Sequence, residues 1–167
     1  MKSRIALTGL SSADEREFTA ASRRSRALHR PWVLPPATPA AFRAYLARMA
    51  EPGNHAFVVR RRDTNALVGV ITVTNIVLRV FRSAYLGYYA FEGHERQGLM
   101  REGLDAVVRR AFRSMQLHRL EAAIQPGNRS SIALVKACGF TREGYSPRYL
   151  KIGGRWCDHE RWAILAR

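Results

Sequence analysis

The spacing of apolar residues separates this chain into strands and helices. Runs rich in β-branched and aromatic residues predict strands at 4–8, 56–60, 67–73, 84–91 and 119–124. The second and third of these runs flank a polar turn at Asp63-Thr64-Asn65, which is typical of a β-hairpin. Two more strands are predicted on either side of the Gly153-Gly154 turn, and the second ends at 162–165.

Two helices are predicted in the first third of the chain. The first begins at Ser12, where Glu15 completes a capping box, and it ends before Pro31. The segment 31–36 contains three prolines and predicts an extended connector. A second helix follows over 38–49, because Thr-Pro at its start supplies an N-cap and a first-turn proline.

Two more helices are predicted in the second half. A long one follows Gly98, since apolar residues recur at helical spacing on one of its faces: Met100, Leu104, Val107, Val108, Ala111 and Met115. A shorter one runs from about Ser130 to Cys138, where Gly139 is placed to end it in a left-handed conformation. Strands outnumber helices, and no repeat or linker interrupts the pattern. The chain therefore predicts one mixed α/β domain over 1–167.

Composition favours a soluble globular protein. Of 167 residues, 47% are hydrophobic and 25% are charged, which is enough apolar material for a core. No apolar run approaches the length of a membrane span, and no secretory signal is evident at the start. Cys138 and Cys157 show no metal-type spacing and no disulfide framework. We expect a cytoplasmic protein without a metal.

The net charge of +15 is the unusual feature of the composition, and arginine supplies nearly all of it. Such a charge raises encounter rates with polyanions such as RNA or a ribosome surface, and it disfavours polycationic substrates. The alternative is a solvated basic surface without a specific partner. Arginine enrichment can also reflect genome composition.

A glycine turn lies between the aromatic strand 84–91 and the long helix. Its sequence is Glu95-Arg96-Gln97-Gly98-Leu99-Met100. A turn of this kind directs several backbone N–H groups and the positive end of the helix dipole at one point, so it predicts a phosphate site. The alternative is an ordinary strand-to-helix turn.

Further motifs follow one another along essentially the whole chain. They are Thr74-Asn75-Ile76-Val77, Phe81, Tyr85-Leu86-Gly87-Tyr88, Gln97-Gly98-Leu99-Met100, Glu102, Leu104, Asn128, Gly139-Phe140, Glu143-Gly144-Tyr145, Tyr149-Leu150, Trp156 and Asp158-His159. With these residues in this order the chain resembles the GNAT superfamily of acetyl-coenzyme A-dependent N-acetyltransferases. Within it, the chain looks most like the bacterial ribosomal-protein alanine N-acetyltransferases. The resemblance implies a mixed, mostly antiparallel sheet of about seven strands flanked by about four helices.

The resemblance also implies which residues hold acetyl-CoA. The superfamily's pyrophosphate loop, Arg/Gln-x-x-Gly-x-Gly/Ala, falls on 95–100; Glu95 and Met100 depart from that pattern. The pantetheine arm is expected to pair with backbone of the fourth strand beside a splay in the sheet. The implied cofactor-binding residues are Tyr89, Ala90, Arg96, Gln97, Gly98, Leu99, Met100, Arg101 and Asn128.

Acetyl transfer to an amine needs a proton acceptor for the amine and a hydrogen-bond donor for the departing thiolate. Glu121 and Glu92 are the candidate bases; the alternatives are an ion pair with an arginine for Glu121 and a solvated loop charge for Glu92. Many members carry an acidic tyrosine on the short helix, where this chain has Val135. The resemblance to the ribosomal-protein enzymes implies Ser131, three residues after Asn128, as the donor to sulfur; the alternative is a helix serine that satisfies backbone groups.

Three functions remain open from the sequence. The leading hypothesis is direct transfer of an acetyl group from acetyl-CoA to the N-terminal amine of a protein, such as a ribosomal protein. The second is transfer to a small amine, and the third is a non-catalytic basic module that binds RNA or the ribosome. Asp158-His159 is interpreted as a structural polar pair. We expect a monomer or a homodimer, without membrane contact.

Overall fold

One sheet of seven strands with helices on both faces forms the protein. The computed structural model describes residues 3–167. Met1 and Lys2, which belong to the segment searched for a secretory signal, lie outside the described residues. The strands are β1 (Ile5–Gly9), β2 (His55–Arg61), β3 (Leu67–Val77), β4 (Ser83–Ala90), β5 (Arg119–Ile124), β6 (Thr141–Ile152) and β7 (Arg155–Leu165). The helices are α1 (Glu15–Arg24), α2 (Arg26–His29), α3 (Pro39–Met49), α4 (Leu99–Arg113) and α5 (Arg129–Ala137).

The strand order is β1-β2-β3-β4-β5-β7-β6, and β4 with β5 is the parallel pair of the described sheet. Their pairing is short: Ser83 to Tyr85 lie beside Arg119 to Glu121. Beyond these residues the two strands separate, which leaves a V-shaped opening in the sheet (the splay). The seven strands, the mostly antiparallel pairing and the splay confirm the fold that the resemblance implied.

Two apolar cores lie on opposite faces of the sheet. The larger one is under α4 and α5, where Leu104, Val107 and Ala111 of α4 are fully buried. Gly103 lets α4 approach the sheet, because a β-carbon there would lie 3.0 Å from Val59. The smaller core is under α1 and α3 and is rich in aromatic rings, with Phe18 at its centre. The amphipathic pattern after Gly98 thus predicted the buried face of α4 correctly.

The first predicted helix is wrong in its start and in its continuity. The capping box lies one residue earlier than predicted, at Ser11 and Asp14, and the Ser11 N–H donates to the Asp14 carboxylate at 2.8 Å. A short 3-10 turn follows over Ser12–Asp14, and the helix breaks at Ser25 between α1 and α2. Ser25 is buried and its hydroxyl accepts the Glu92 N–H at 2.9 Å, so the break ties this region to the loop after β4.

The other elements follow the sequence pattern closely. The hairpin of β2 and β3 is present, although β3 extends to Val77, and β6 and β7 are joined at Gly153-Gly154 as predicted. β6 bulges between Ser146 and Leu150, which swings Tyr149 towards β4. Among the described residues, no helix combines the length and apolar character that crossing a bilayer requires.

Candidate active site

The turn before α4 presents backbone N–H groups to solvent. Gly98 is the N-cap of α4 and has φ +75°, a left-handed conformation that favours glycine. The first intrahelical bond here is from the Glu102 N–H to the Gly98 carbonyl, at 3.1 Å. The N–H groups of Leu99, Met100 and Arg101 precede that bond and have no acceptor within the helix. With the positive end of the α4 dipole they form an anion cradle.

Side chains of Arg4, just before β1, and of Arg61, at the end of β2, hold the turn in place. Arg4 donates from Nη2 to the Gln97 carbonyl at 2.9 Å, and its Nε lies 2.5 Å from Glu102 in the first turn of α4. The Gln97 side chain donates to the Gly93 carbonyl at 3.1 Å and accepts from Arg61 at 3.1 Å. Gln97 therefore uses its side chain and its carbonyl to fix the turn, which leaves its backbone N–H as the group that a ligand could contact.

Glu95, the residue that departs from the family's loop pattern, turns its carboxylate back into its own loop. It accepts the Gly93 N–H at 2.8 Å. Arg96, with φ +57°, and Arg101 are both exposed beside the turn. The positive charge of the cradle is thus retained despite the acidic residue.

The Met100 side chain packs against the sheet at Gly69 of β3. A β-carbon on Gly69 of β3 would lie 2.5 Å from the Met100 Sδ and 2.5 Å from the Tyr89 carbonyl oxygen. Met100 can therefore replace the family's small residue, because the absent side chain of Gly69 leaves room for it. Only the backbone of Met100 faces the cradle.

The edge of β4 that faces the splay carries backbone groups that pair with no neighbouring strand beyond Tyr85. The Phe91 N–H donates to the Val68 carbonyl at 2.8 Å, so alternation directs the backbone of Tyr89 towards β3 and that of Tyr88 and Ala90 towards the splay. The Ala90 carbonyl accepts from His29 Nε2 at 2.6 Å. Burial lowers the pKa of His29, and the bond to Ala90 acts in the opposite direction.

A cavity of about 1100 Å³ opens at the splay. One wall is the connector 32–38 with residues of α3, the opposite wall is the β6–β7 hairpin, and β4 and β5 form the floor. Among the described residues that line it, none carries a carboxylate, and Arg48 is the one arginine. The polar lining includes Asn54, Asn75, Asn128, Ser131 and five tyrosines besides His159.

Ser131 and Asn128 line this cavity at the start of α5. The Asn128 side chain accepts the Ser131 N–H at 3.2 Å as the N-cap of the helix. The Ser131 hydroxyl donates to the Tyr88 hydroxyl at 2.6 Å, and Tyr88 donates to the Ser131 carbonyl at 3.1 Å. Burial raises the pKa of Tyr88, so its phenol stays protonated. Val135, at the family's tyrosine position, is fully buried in the core.

The two candidate bases lie outside the described lining of the cavity. Glu121 accepts from Arg119 Nε at 2.7 Å on its own strand, and Arg119 also pairs with Glu143. Glu92 is exposed in the loop after β4, at the end of the strand nearest the anion cradle. The structure thus brings Ser131 and Asn128 together at the splay and places both glutamates apart from them.

Three residues that the sequence did not assign to the site meet where β4, β6 and β7 line the cavity (the far wall). The Tyr85 and Tyr149 hydroxyls are 3.3 Å apart, and the Tyr149 ring packs edge-on against His159 at 6.1 Å between centroids. The hydrogen bond to Tyr149 and burial raise the pKa of Tyr85 to about 12. The motifs Tyr85-Leu86-Gly87-Tyr88 and Asp158-His159 were visible in the sequence, but their convergence requires the bulge in β6.

No group of three or more His, Cys, Asp or Glu side chains in the described part of the chain is arranged to hold a metal ion. Cys138 and Cys157 are free thiols.

Two curated N-acetyltransferases are similar to this chain in sequence. The matched part of Probable N-acetyltransferase YjcK from Bacillus subtilis (strain 168) is 31% identical over 121 residues, which are 72% of this chain and 67% of that protein. [Ribosomal protein uS5]-alanine N-acetyltransferase from Escherichia coli (strain K12) is 38% identical over 102 residues, 61% of this chain. The chain spans only 53% of that second relative's length.

Solved structures share the whole fold. The ribosomal-protein-S5-alanine acetyltransferase from Vibrio fischeri superposes with a TM-score of 0.87 at 25% identity, over 99% of this chain and 94% of that one. Spermidine N-acetyltransferase from Vibrio cholerae, in complex with CoA and spermine, reaches 0.80 at 22% identity, over 98% and 96%, and shows the fold alone. The family model described as "Acetyltransferase (GNAT) domain" matches residues 4–141, so the chain belongs to the GNAT acetyltransferases.

Proposed function

We propose that this protein acetylates the N-terminal α-amine of a protein, such as a ribosomal protein, by direct transfer from acetyl-CoA. The observation that carries the proposal is the charge of the acceptor cavity. None of its described lining residues is acidic, and Arg48 is the one arginine. A peptide α-amine brings a single positive charge, which it loses before it reacts, so this cavity suits it.

Polyamines fit the same cavity poorly. A polyamine carries several positive charges, each of which needs a carboxylate or an equivalent when it leaves water. The chain as a whole has a net charge of +15, which repels polycations at long range. Both the local and the global charge therefore favour a peptide over a polyamine, even though spermidine acetyltransferases share the fold.

The shape of the cavity supports a peptide acceptor as well. The connector between α2 and α3 lines one side with Trp32, Val33, Leu34 and two prolines. These apolar groups can contact the first side chains of an extended chain that enters amine-first. The remaining basic surface suits approach to ribosomal RNA, which would bring a ribosomal target close.

The residues present fit acetyl-CoA. The N–H groups of Leu99, Met100 and Arg101 would hold the diphosphate, with Arg96 and Arg101 as surrounding charge, and the splay edge of β4 at Tyr88 and Ala90 would pair with the pantetheine arm. Tyr89 lines the cavity with its side chain instead. When bound, the thioester supplies an activated acetyl group.

Ser131 and Tyr88 would serve the departing sulfur. Their hydroxyls form one hydrogen-bonded pair at the cavity wall, and the phenol stays protonated because burial raises its pKa. Each hydroxyl has a single hydrogen, so one of them would rotate away from its present acceptor to donate to a developing thiolate, while Asn128 holds Ser131 through its backbone. The Tyr88 hydroxyl thus substitutes for the acid that Val135 cannot provide.

The test is an acceptor screen with thiol release as the readout. The panel contains peptides with free N-terminal alanine, serine or methionine, the same peptides with blocked N-termini, spermidine, and free amino acids. We expect release with free-amine peptides and none above background with their blocked forms or with spermidine. Faster transfer to spermidine or to amino acids would overturn the proposal, and salt-sensitive RNA binding without thiol release would favour a non-catalytic module.

A further inference from the structure

His159 is a buried histidine in the wall of the acceptor cavity. It lies on β7, is 3% exposed and lines the cavity together with Tyr85, Tyr149 and Ala123. Ala122, the neighbour of Ala123 on β5, points to the opposite face of the sheet and belongs to the core under α4 and α5. His159 therefore faces the space that an acceptor amine would enter, on the side of the sheet away from that core.

The hydrogen bond that His159 makes determines which ring nitrogen can accept a proton. Nδ1 lies 2.9 Å from the Cys157 carbonyl oxygen, which can only accept, so Nδ1 carries the hydrogen. In the neutral ring the lone pair is then on Nε2. Within residues 3–167, Nδ1 of His29 and Nδ1 of His94 are fully buried and have no hydrogen-bond partner. His159 Nε2 does not belong to this group of buried, unpartnered atoms.

The neighbours of His159 orient the ring without competing for its proton. The Tyr149 ring packs edge-on against it, and the Tyr149 hydroxyl is tied to Tyr85. The pKa of Tyr85 is raised to about 12, so this tyrosine remains a donor and is a poor base. Glu121 is held by Arg119 and lies outside the described lining.

The geometry points to His159 as the base that takes the proton from the acceptor amine; this assignment rests on the proposed function. In the step, Nε2 accepts a proton from the amine, and the amine nitrogen forms a bond to the acetyl carbon. The carbon–sulfur bond breaks, and its electron pair leaves with sulfur. The thiolate takes a proton from solvent through Ser131 and Tyr88, and His159 returns its proton to solvent, so the enzyme ends unchanged.

The experiment compares His159→Gln, His159→Ala, Glu121→Gln and the control His118→Gln in the full chain. His118 is an exposed histidine that lies outside the described lining of the cavity. For each protein, kcat and KM are measured with acetyl-CoA and the best peptide, CoA affinity is measured by calorimetry, and Tm checks folding. Added imidazole is tested with His159→Ala, whose truncated side chain leaves room for it.

We expect His159→Gln to lower kcat at least 100-fold, with KM for acetyl-CoA and CoA affinity within twofold of wild type. Imidazole should restore part of the activity of His159→Ala and none of the activity of His159→Gln. A purely structural role of His159 would not produce this rescue. Activity of His159→Gln within threefold of wild type, or a large loss confined to Glu121→Gln, would overturn the assignment. If wild type transfers to no peptide, the proposed function fails as well, whereas an active wild type with an unaffected His159→Gln refutes only the role of His159.

Discussion

Replacement of Gly69 by alanine tests how the loop around Met100 is supported. The new β-carbon would lie 2.5 Å from the Met100 Sδ and 2.5 Å from the Tyr89 carbonyl oxygen. Methionine can change rotamer, but the carbonyl belongs to the adjacent strand and cannot move without the sheet. Overpacking of this kind costs about 1–3 kcal/mol, and alanine in a strand gains roughly 0.5–1 kcal/mol over glycine. The net loss of unfolding free energy should be about 1.5 kcal/mol.

Urea unfolding followed by circular dichroism measures this loss. For a domain of this size about 1.5 kcal/mol corresponds to a fall in Tm of roughly 3–6 °C. The matched control is Gly9→Ala on β1, because a β-carbon there meets no atom within 4 Å. The control should be more stable than wild type by roughly 0.5–1 kcal/mol, because only the gain of alanine over glycine in a strand applies there.

The double variant with Met100→Ala separates the two contacts. Without the thioether, Gly69→Ala should cost about 1 kcal/mol less than in the wild-type background, because only the contact with Tyr89 remains. Additive effects of the two substitutions, or a Gly69→Ala variant as stable as Gly9→Ala, would refute the packing of Met100 on Gly69.

Three further predictions follow from individual contacts. Ser131→Ala and Tyr88→Phe should each lower kcat roughly 10-fold or more and should be non-additive when combined, because the two hydroxyls act as one unit; steady-state kinetics of the three variants would show this. Burial lowers the pKa of His29 below 6.5, so the neutral ring contributes folding stability above about pH 6.5, and this stability is lost as the pH falls. The urea midpoints at pH 7.5 and pH 5.5 should therefore differ less in His29→Gln than in wild type. Arg60→Met leaves the buried Asp14 carboxylate without its partner at 2.8 Å and should cost about 3–5 kcal/mol in the same assay, whereas a loss below about 1 kcal/mol would contradict the buried pair.

The strands and the long helix were predictable because their apolar periods are regular and local. The start of the first helix was not, since Ser11-x-x-Asp14 and Ser12-x-x-Glu15 both fit a capping box. The choice is made by Arg60, which lies on β2 and pairs with the buried Asp14. A contact between residues 46 positions apart cannot be read from local pattern.

The turn at Gly98 was predictable for a similar reason, because a strand, a glycine and an amphipathic helix follow one another in sequence. The far wall of the cavity was not, since it joins β4, β6 and β7. Tyr149 reaches Tyr85 only because β6 bulges between Ser146 and Leu150. The sequence left Glu121 open as a base or as the partner of an arginine, and its pairing with Arg119 is a property of the folded sheet.

Acetyl-CoA binding depends most directly on the anion cradle, and a crystal structure of the protein with bound CoA tests this role. We expect diphosphate oxygens within hydrogen-bond distance of the N–H groups of Leu99 and Met100, with the pantetheine arm along the splay edge of β4. A diphosphate bound elsewhere, with these N–H groups facing only solvent, would contradict the account.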